Sequence, residues 1–220
     1  MQVIRFEKPA GFTYQPGQFV MVSCDDYKLW GNDLQLKWAS FSLSSAPHES
    51  TLELCIRVHE TPGITNHVGV KKQIGDTVNM KGPWGKFVLG NDFKEIAFVA
   101  LGTGIAPLIS MIRHLLHSNE KRFMHLFYGF RNNTCFVYQN ELKELMKKHS
   151  NFKVHSIASH DLSQGKQGYV QIVMEHAQFE NPKSEIQTYL CGPPKAIDSV
   201  IEFMKTQGFK EENLIKEKWE

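Results

Sequence analysis

Two short runs carry the residue types that could do chemistry. The first is Leu101-Gly102-Thr103-Gly104-Ile105-Ala106-Pro107, directly after the apolar run Glu95–Leu101. Glycines there permit a tight turn and let a ligand approach the backbone. A helix opening at Ile105 would add unpaired N–H groups and the positive end of its dipole, which suits an anion. The run is not G-x-G-x-x-G, so the usual dinucleotide fingerprint is absent and an ordinary strand-to-helix turn is the simpler alternative. The second run is Cys191-Gly192-Pro193-Pro194, again at the carboxyl end of a predicted strand. Its bend is expected to aim Cys191 into the crevice used by the first loop. A lone cysteine is more often a small buried hydrophobe, but ligands of open α/β sheets bind at the carboxyl ends of the strands, where this one falls.

These runs need elements to position them. Before Asp92 the chain looks β-rich: FVMVSC (19–24), FSLSS (41–45), LELCIRV (52–58), TVNMKG (77–82) and FVL (87–89) are short and separated by turn residues. Only Thr65–Lys72 suggests a helix. Short strands with turns between them suggest a small barrel or sandwich. After Asp92 strands alternate with helices. Strands are expected at 95–101, 123–129, 152–158, 186–190 and 213–219. Helices are marked by Leu108/Met111/Ile112/Leu115, Leu142/Leu145/Met146, Val170/Val173/Met174 and Ile197/Val200/Ile201/Met204. That order implies a parallel doubly wound sheet. Two domains are expected, 1–92 and 93–220.

The 220 residues carry 25 Lys+Arg against 23 Asp+Glu, a net charge of +2, which argues against nucleic acid or an anionic membrane as the main partner. Cys24, Cys55, Cys135 and Cys191 are too far apart for a zinc knuckle or an iron–sulfur centre. MQVIRFEKPAGF is not a signal peptide, and the uncharged stretch 96–112 is punctuated by Gly102, Gly104 and Pro107. A reduced, cytoplasmic protein without membrane insertion is expected.

Taken together, the chain resembles the ferredoxin–NADP reductase superfamily over nearly its whole length. PGQFV (16–20) looks like that family's opening barrel strand. FSLSS (41–45) is similar to its flavin motif Arg-x-Tyr-Ser-(Ile/Leu)-Ser-Ser, and PGITNHV (62–68) to its phosphate segment. GDTVNMKGPWGKFVL (75–89), FYGFRN (127–132), CGPP (191–194) and EKW (217–219) follow in the family's order. The resemblance implies an N-terminal antiparallel Greek-key β-barrel and a C-terminal α/β, Rossmann-like domain with a parallel sheet. It implies FAD, with FMN as the alternative, and NADH or NADPH. The activity implied is hydride transfer from NAD(P)H to flavin, with electrons passed to a redox protein or a small acceptor. A flavin-containing electron-transfer or regulatory subunit of a larger complex is the alternative, and a non-catalytic nucleotide-binding module a third.

The same resemblance assigns residues. Ser42 would face the flavin where hydride arrives, within Phe41, Ser42, Leu43 and Ser44. Arg57 and Val58 would lie near the flavin, with a solvated strand arginine the simpler reading of Arg57. Gly63, Thr65 and Asn66 would hold flavin phosphate. Gly102, Thr103, Gly104 and Pro107 would receive the nicotinamide nucleotide, Arg131 its phosphates or ribose, and Ser159 and Tyr169 its far end. Cys191, with Gly192 and Pro193, would position the nicotinamide ring; Ser42 and Cys191 are the catalytic pair. Trp219 would stack on flavin or adenine, or merely pack on the surface. Two departures stand out. Ala39 occupies the place of the motif's arginine, with Lys37 nearby. Ser159-His160-Asp161 replaces a Ser-Arg pair that would clamp a 2′-phosphate, which favours NADH.

Overall fold

The structure, a computed structural model, describes residues 1–25, 37–58, 63–90, 94–161 and 167–218. Five strands come from the first ninety residues: β1 (Gln2–Glu7), β2 (Phe19–Ser23), β3 (Ala39–Ser42), β4 (Thr51–Ile56) and β5 (Asn79–Trp84). All pair antiparallel, β1 with β4, and β2 between β3 and β5. A bridge from Leu43 to Leu54 connects the two sheets. Inward residues at alternate positions, Val20 and Val22 on β2 and Leu52 and Leu54 on β4, form one core with Leu43 and Ile56. Between β4 and β5 lies a short helix, α1 (Ile64–Asn66), which continues as one wide turn through Lys71.

The rest is an α/β unit. Strands β6 (Glu95–Leu101), β7 (Phe123–Phe130), β8 (Phe152–Ala158), β9 (Ile186–Gly192) and β10 (Leu214–Lys218) form one parallel sheet in the order β10-β9-β6-β7-β8. Strand β6 is apolar along its length after Glu95 because both faces are covered. Ile96, Phe98 and Ala100 pack into one core, and Ala97 and Val99 into the other. Helices α2 (Ile105–His117) and α3 (Gln139–Lys148) cover the first face; α4 (Val170–Glu175) and α5 (Pro194–Thr206) cover the second.

Helix α2 is buried almost all round, from Ile105 through Ile112. It lies between the parallel sheet and the N-terminal half, and Cys55 and Phe87 of that half join its core. Each fully buried Leu or Ile on it contributes about 1.5–3 kcal/mol. This shared core packs the two halves against each other through apolar contact.

Three expectations need correction. FVL (87–89) forms no strand; Phe87 is instead a buried anchor in the shared core. QVIRFE at the N-terminus, unassigned from sequence, is strand β1. The expected helix at 65–72 is a three-residue helix running into a wide turn. The expected domain boundary at 92 lies outside the described residues.

Candidate functional site

A cleft of about 1350 Å³ runs between the N-terminal strands and the carboxyl ends of the parallel strands. Chain order explains its place. After β6 the sheet grows one way through β7 and β8, then resumes on the other side with β9. Loops leaving β6 and β9 therefore diverge and leave a crevice at their carboxyl ends. Leu101, Gly102 and Thr103 from the first loop and Pro193 and Pro194 from the second line it.

At Gly102 the backbone has φ +61°, a left-handed conformation open to glycine at little cost, and a Cβ built there meets nothing within 4 Å. The cleft thus reaches bare backbone. Among the described residues no side chain caps the turn Gly102–Gly104 or helix α2 behind it. Next to it, Leu101 is wedged between the strands on either side. A Cβ on Gly129 would lie 2.9 Å from Leu101 Cδ2, and one on Gly192 2.7 Å from Leu101 Cβ.

The wall opposite is built from strand faces: Phe19, Ala39, Phe41, Ser42 and Arg57, with Thr65 from α1. Cations outnumber anions. Among the described residues, Arg57, Arg131 and Lys218 line the cleft against one carboxylate, Glu217. Lys218 also reaches Asp198. Burial pushes the Glu217 carboxyl up to about 7, and its Oε2 is buried without a hydrogen-bond partner among the described residues. A cleft with exposed backbone amides, guanidinium groups and aromatic faces suits a long ligand with phosphates and flat rings.

The sequence-derived candidates divide cleanly. Phe41, Ser42, Arg57, Thr65, Gly102, Thr103, Arg131, Ser159, Tyr169 and Pro193 line the cleft. Gly63, Asn66 and Val58 flank it without lining it; the Val58 side chain packs on the N-terminal core. Gly104 and Pro107 are buried in the start of α2. Leu43 is fully buried in the N-terminal core because strand alternation turns it inward. Ser44 is also fully buried, and its hydroxyl donates to Glu53 Oε1 at 3.1 Å.

Cys191 is the main correction of placement. Its side chain is fully buried in the core shared with Phe98 and Tyr189, and it does not line the cleft. Burial, then the charge of Glu217 level with it on β10, pushes the thiol well above its ordinary value. Gly192 is buried beside it. The bend carries Pro193 and Pro194 into the cleft in its place. Trp219 lies outside the described residues.

Other lining residues had weaker signals. Phe19 follows the PGQ turn, and Phe130 ends FYGF, where it stacks on Phe136 at 4.4 Å. Ala39 lines the cleft where the motif's arginine would stand. Trp38 is covered by Lys81, whose Nζ sits 4.1 Å from the ring centre. His160 lines the cleft, and Asp161 Oδ2 accepts the Asn133 N–H at 3.1 Å.

Comparison with known proteins gives two family matches. Residues 1–88 match the family described as an FAD-binding domain, and residues 98–202 the family described as an oxidoreductase NAD-binding domain. The reductase component DmpP of phenol 2-monooxygenase from Pseudomonas sp. (strain CF600) is 33% identical over 205 residues, 90% of this chain and 55% of that protein. The electron transfer component of anthranilate 1,2-dioxygenase from Acinetobacter baylyi is 26% identical over 209 residues, 94% of this chain and 58% of that protein. This chain thus spans little more than half the length of these curated relatives. Ferredoxin-NADP+ reductase from Plasmodium falciparum, solved with 2′P-AMP, superposes with a TM-score of 0.79 at 23% identity, over 99% of this chain and 88% of that one. Among the described residues no helix is long and apolar enough to cross a membrane.

Proposed function

The chain belongs to the ferredoxin–NADP reductase superfamily, and from that premise we propose that it is an NAD(P)H-dependent flavin oxidoreductase that hands electrons to a redox protein or small acceptor. One observation carries this reading: a single cleft is walled on one side by the FAD-binding match and on the other by the NAD-binding match. The residues fit both groups. Bare backbone at Gly102 leaves room that a Cβ would fill, and the guanidinium groups of Arg57 and Arg131 supply donors for phosphates.

FAD, when bound, supplies the hydride acceptance from nicotinamide and the onward release of electrons. The chain's own residues bind and orient. Phe41 offers a flat face, Ser42 a hydroxyl, and Thr65 with Arg57 the contacts for flavin phosphate. Gly102 and Thr103 present backbone to the nicotinamide nucleotide, Arg131 pairs with its phosphates, and Ser159 and Tyr169 hold its far end. Glu217, whose carboxyl burial pushes up to about 7, holds its proton more readily than an ordinary carboxyl. Cys191 supports the floor of the cleft from within the core. Trp219 remains a stacking candidate on sequence grounds. We place the two domains at 1–92 and 93–220 and the protein in the cytoplasm.

Purified protein should be yellow or turn yellow with FAD, and should bleach anaerobically with NADH. His160 and Asp161 supply no arginine for a 2′-phosphate, so kcat/KM for NADH should equal or exceed that for NADPH. Ala39→Arg should tighten FAD binding by roughly tenfold or more by adding one charge-assisted contact. Colourless protein that takes up no flavin overturns the proposal. The names of the relatives favour a second reading, an electron-transfer component of a larger oxygenase complex. Under that reading, NADH bleaches the flavin only when the partner is added.

A further inference from the structure

A polar cluster behind the cleft binds the two halves of the molecule. Helix α2 carries Ser110 and Arg113 toward the segment 44–53. Ser110 Oγ donates to the Ser45 carbonyl at 2.5 Å. Arg113 Nη1 donates to the Ser44 carbonyl at 2.9 Å and to Glu53 Oε1 at 3.0 Å. Its Nε and Nη2 donate to the two carboxylate oxygens of Glu141 at 2.6 and 2.7 Å. One guanidinium therefore joins the strand after Ser42, the middle of β4 and the first turn of α3.

Glu53 is the other centre. Its side chain is buried, yet Oε1 also accepts from Ser44 Oγ and from Tyr138 Oη at 2.9 Å, and Oε2 pairs with Arg5 at 2.8 Å. Burial raises its carboxyl, and Arg113, the Tyr138 hydroxyl and Arg5 more than offset that, holding it below the usual carboxylate value. Tyr138 holds a left-handed backbone, φ +61°, that a residue with a Cβ adopts only when its surroundings impose it. Here its hydroxyl is fixed on Glu53 and its ring lies 5.1 Å from the Arg113 guanidinium.

The cluster meets the cleft lining at one point, where the Tyr138 hydroxyl lies beside Cys55, and it grips the backbone of one wall at Ser44 and Ser45 from a helix of the other. Ser44 is two residues past Ser42. Arg113 is nine residues past Gly104, about 13 Å along one helix. We infer that Arg113, held on Glu53, is a positioning residue for hydride transfer: it ties the strand bearing Ser42 to the helix bearing the Gly102–Gly104 turn, and so sets the alignment of the two bound rings. This rests on the proposed reading of the cleft. Hydride transfer tolerates little misplacement, a shift of about 1 Å costing on the order of 100-fold. Lysine at 113 would keep the charge but lacks the planar fork needed for several acceptors at once.

The test is Arg113→Lys, with Glu141→Gln as the milder variant should the first fail to fold. In full-length protein loaded with FAD, the limiting rate of flavin reduction at saturating NADH should fall tenfold or more in Arg113→Lys and about threefold in Glu141→Gln. The Kd for FAD should move less than threefold. In the flavin-free protein, amide hydrogen exchange at Thr103 and Gly104 should accelerate, which needs no turnover to observe. A variant that melts earlier but is reduced at the wild-type rate, with unchanged exchange at those amides, overturns the inference alone. A wild-type protein that binds no FAD overturns the reading of the cleft, and the inference with it.

Discussion

The two ends of the parallel sheet treat their polar groups in opposite ways. At the amino end, Glu95 opens β6 with no exposed surface, and its acceptors are met from within the chain. Oε1 accepts from His125 Nε2 at 2.9 Å, and Oε2 from the Asn181 backbone N–H and Nδ2 at 2.9 and 3.3 Å. With Nε2–H so used, His125 Nδ1 is left to accept from His155 Nε2 at 3.2 Å, and the two rings lie nearly parallel. At the carboxyl end, Glu217 stands level with Cys191, one oxygen unpartnered. A scaffold satisfies its buried polar groups internally; a binding edge leaves some for what it receives.

The largest effect should come from breaking the closed end. His125→Leu leaves a buried carboxylate short of a donor and should lower stability by about 3 kcal/mol, read as a lower urea midpoint. FAD affinity should stay within twofold of wild type, because the cleft is at the other end.

Acid should open the same end more gradually. Burial first, then the charge of Lys153, holds His125 at about 4; burial, then the charges of His125 and Lys153, holds His155 at about 4. In the unfolded chain both imidazoles take up a proton near 6.5. Between these values the unfolded chain binds more protons. Stability is therefore full above pH 6.5 and is lost as pH falls toward 4. Melting temperatures at pH 7.5, 5.5 and 4.5 should show this, and His155→Phe should flatten the slope.

Glu217 should behave with the opposite sign. Its folded carboxyl stays protonated up to about pH 7, while the unfolded one loses its proton near 4.5. The wild type thus loses stability as pH rises through this window. Glu217→Gln should be the more stable protein by about 1 kcal/mol above pH 7, a modest figure because water screens a partly buried group, and equal to wild type near pH 4. The smallest change in stability belongs to Tyr169→Ala. Tyr169 is 71% exposed, so its loss should alter stability by less than about 0.5 kcal/mol. NADH binding should nonetheless weaken severalfold in a direct titration.

How much of this was legible in the sequence differs between the halves for a physical reason. Strand 95–101, buried on both faces, shows as an apolar run with sharp ends, and its bounds agree with the structure. The N-terminal strands have one half-exposed face, and β1 alternates Arg5 and Glu7 with Ile4 and Phe6, a pattern easily passed over beside a terminus. Of the candidate residues, those carried by loops (Gly102, Thr103, Arg131) line the cleft. Cys191 did not, because motif spacing fixes where a backbone bends but not which side of a strand its last side chain takes. The Arg113–Glu53 cluster left no local trace, since its partners are 60 residues apart and meet only through tertiary packing.

Leu101 and its two glycine neighbours form a unit whose parts cannot change independently, and the order of change is constrained. At Gly129 the close approach is to Leu101 Cδ2, the tip of a side chain. A shorter residue at 101 removes that atom, after which alanine at 129 becomes tolerable. At Gly192 the close approach is to Leu101 Cβ, with the Leu101 carbonyl oxygen at 3.3 Å, and every residue except glycine carries a Cβ. No trimming of position 101 short of glycine opens position 192. A random library at these three sites should therefore return Gly192 almost without exception, while 101 and 129 drift together, small against large.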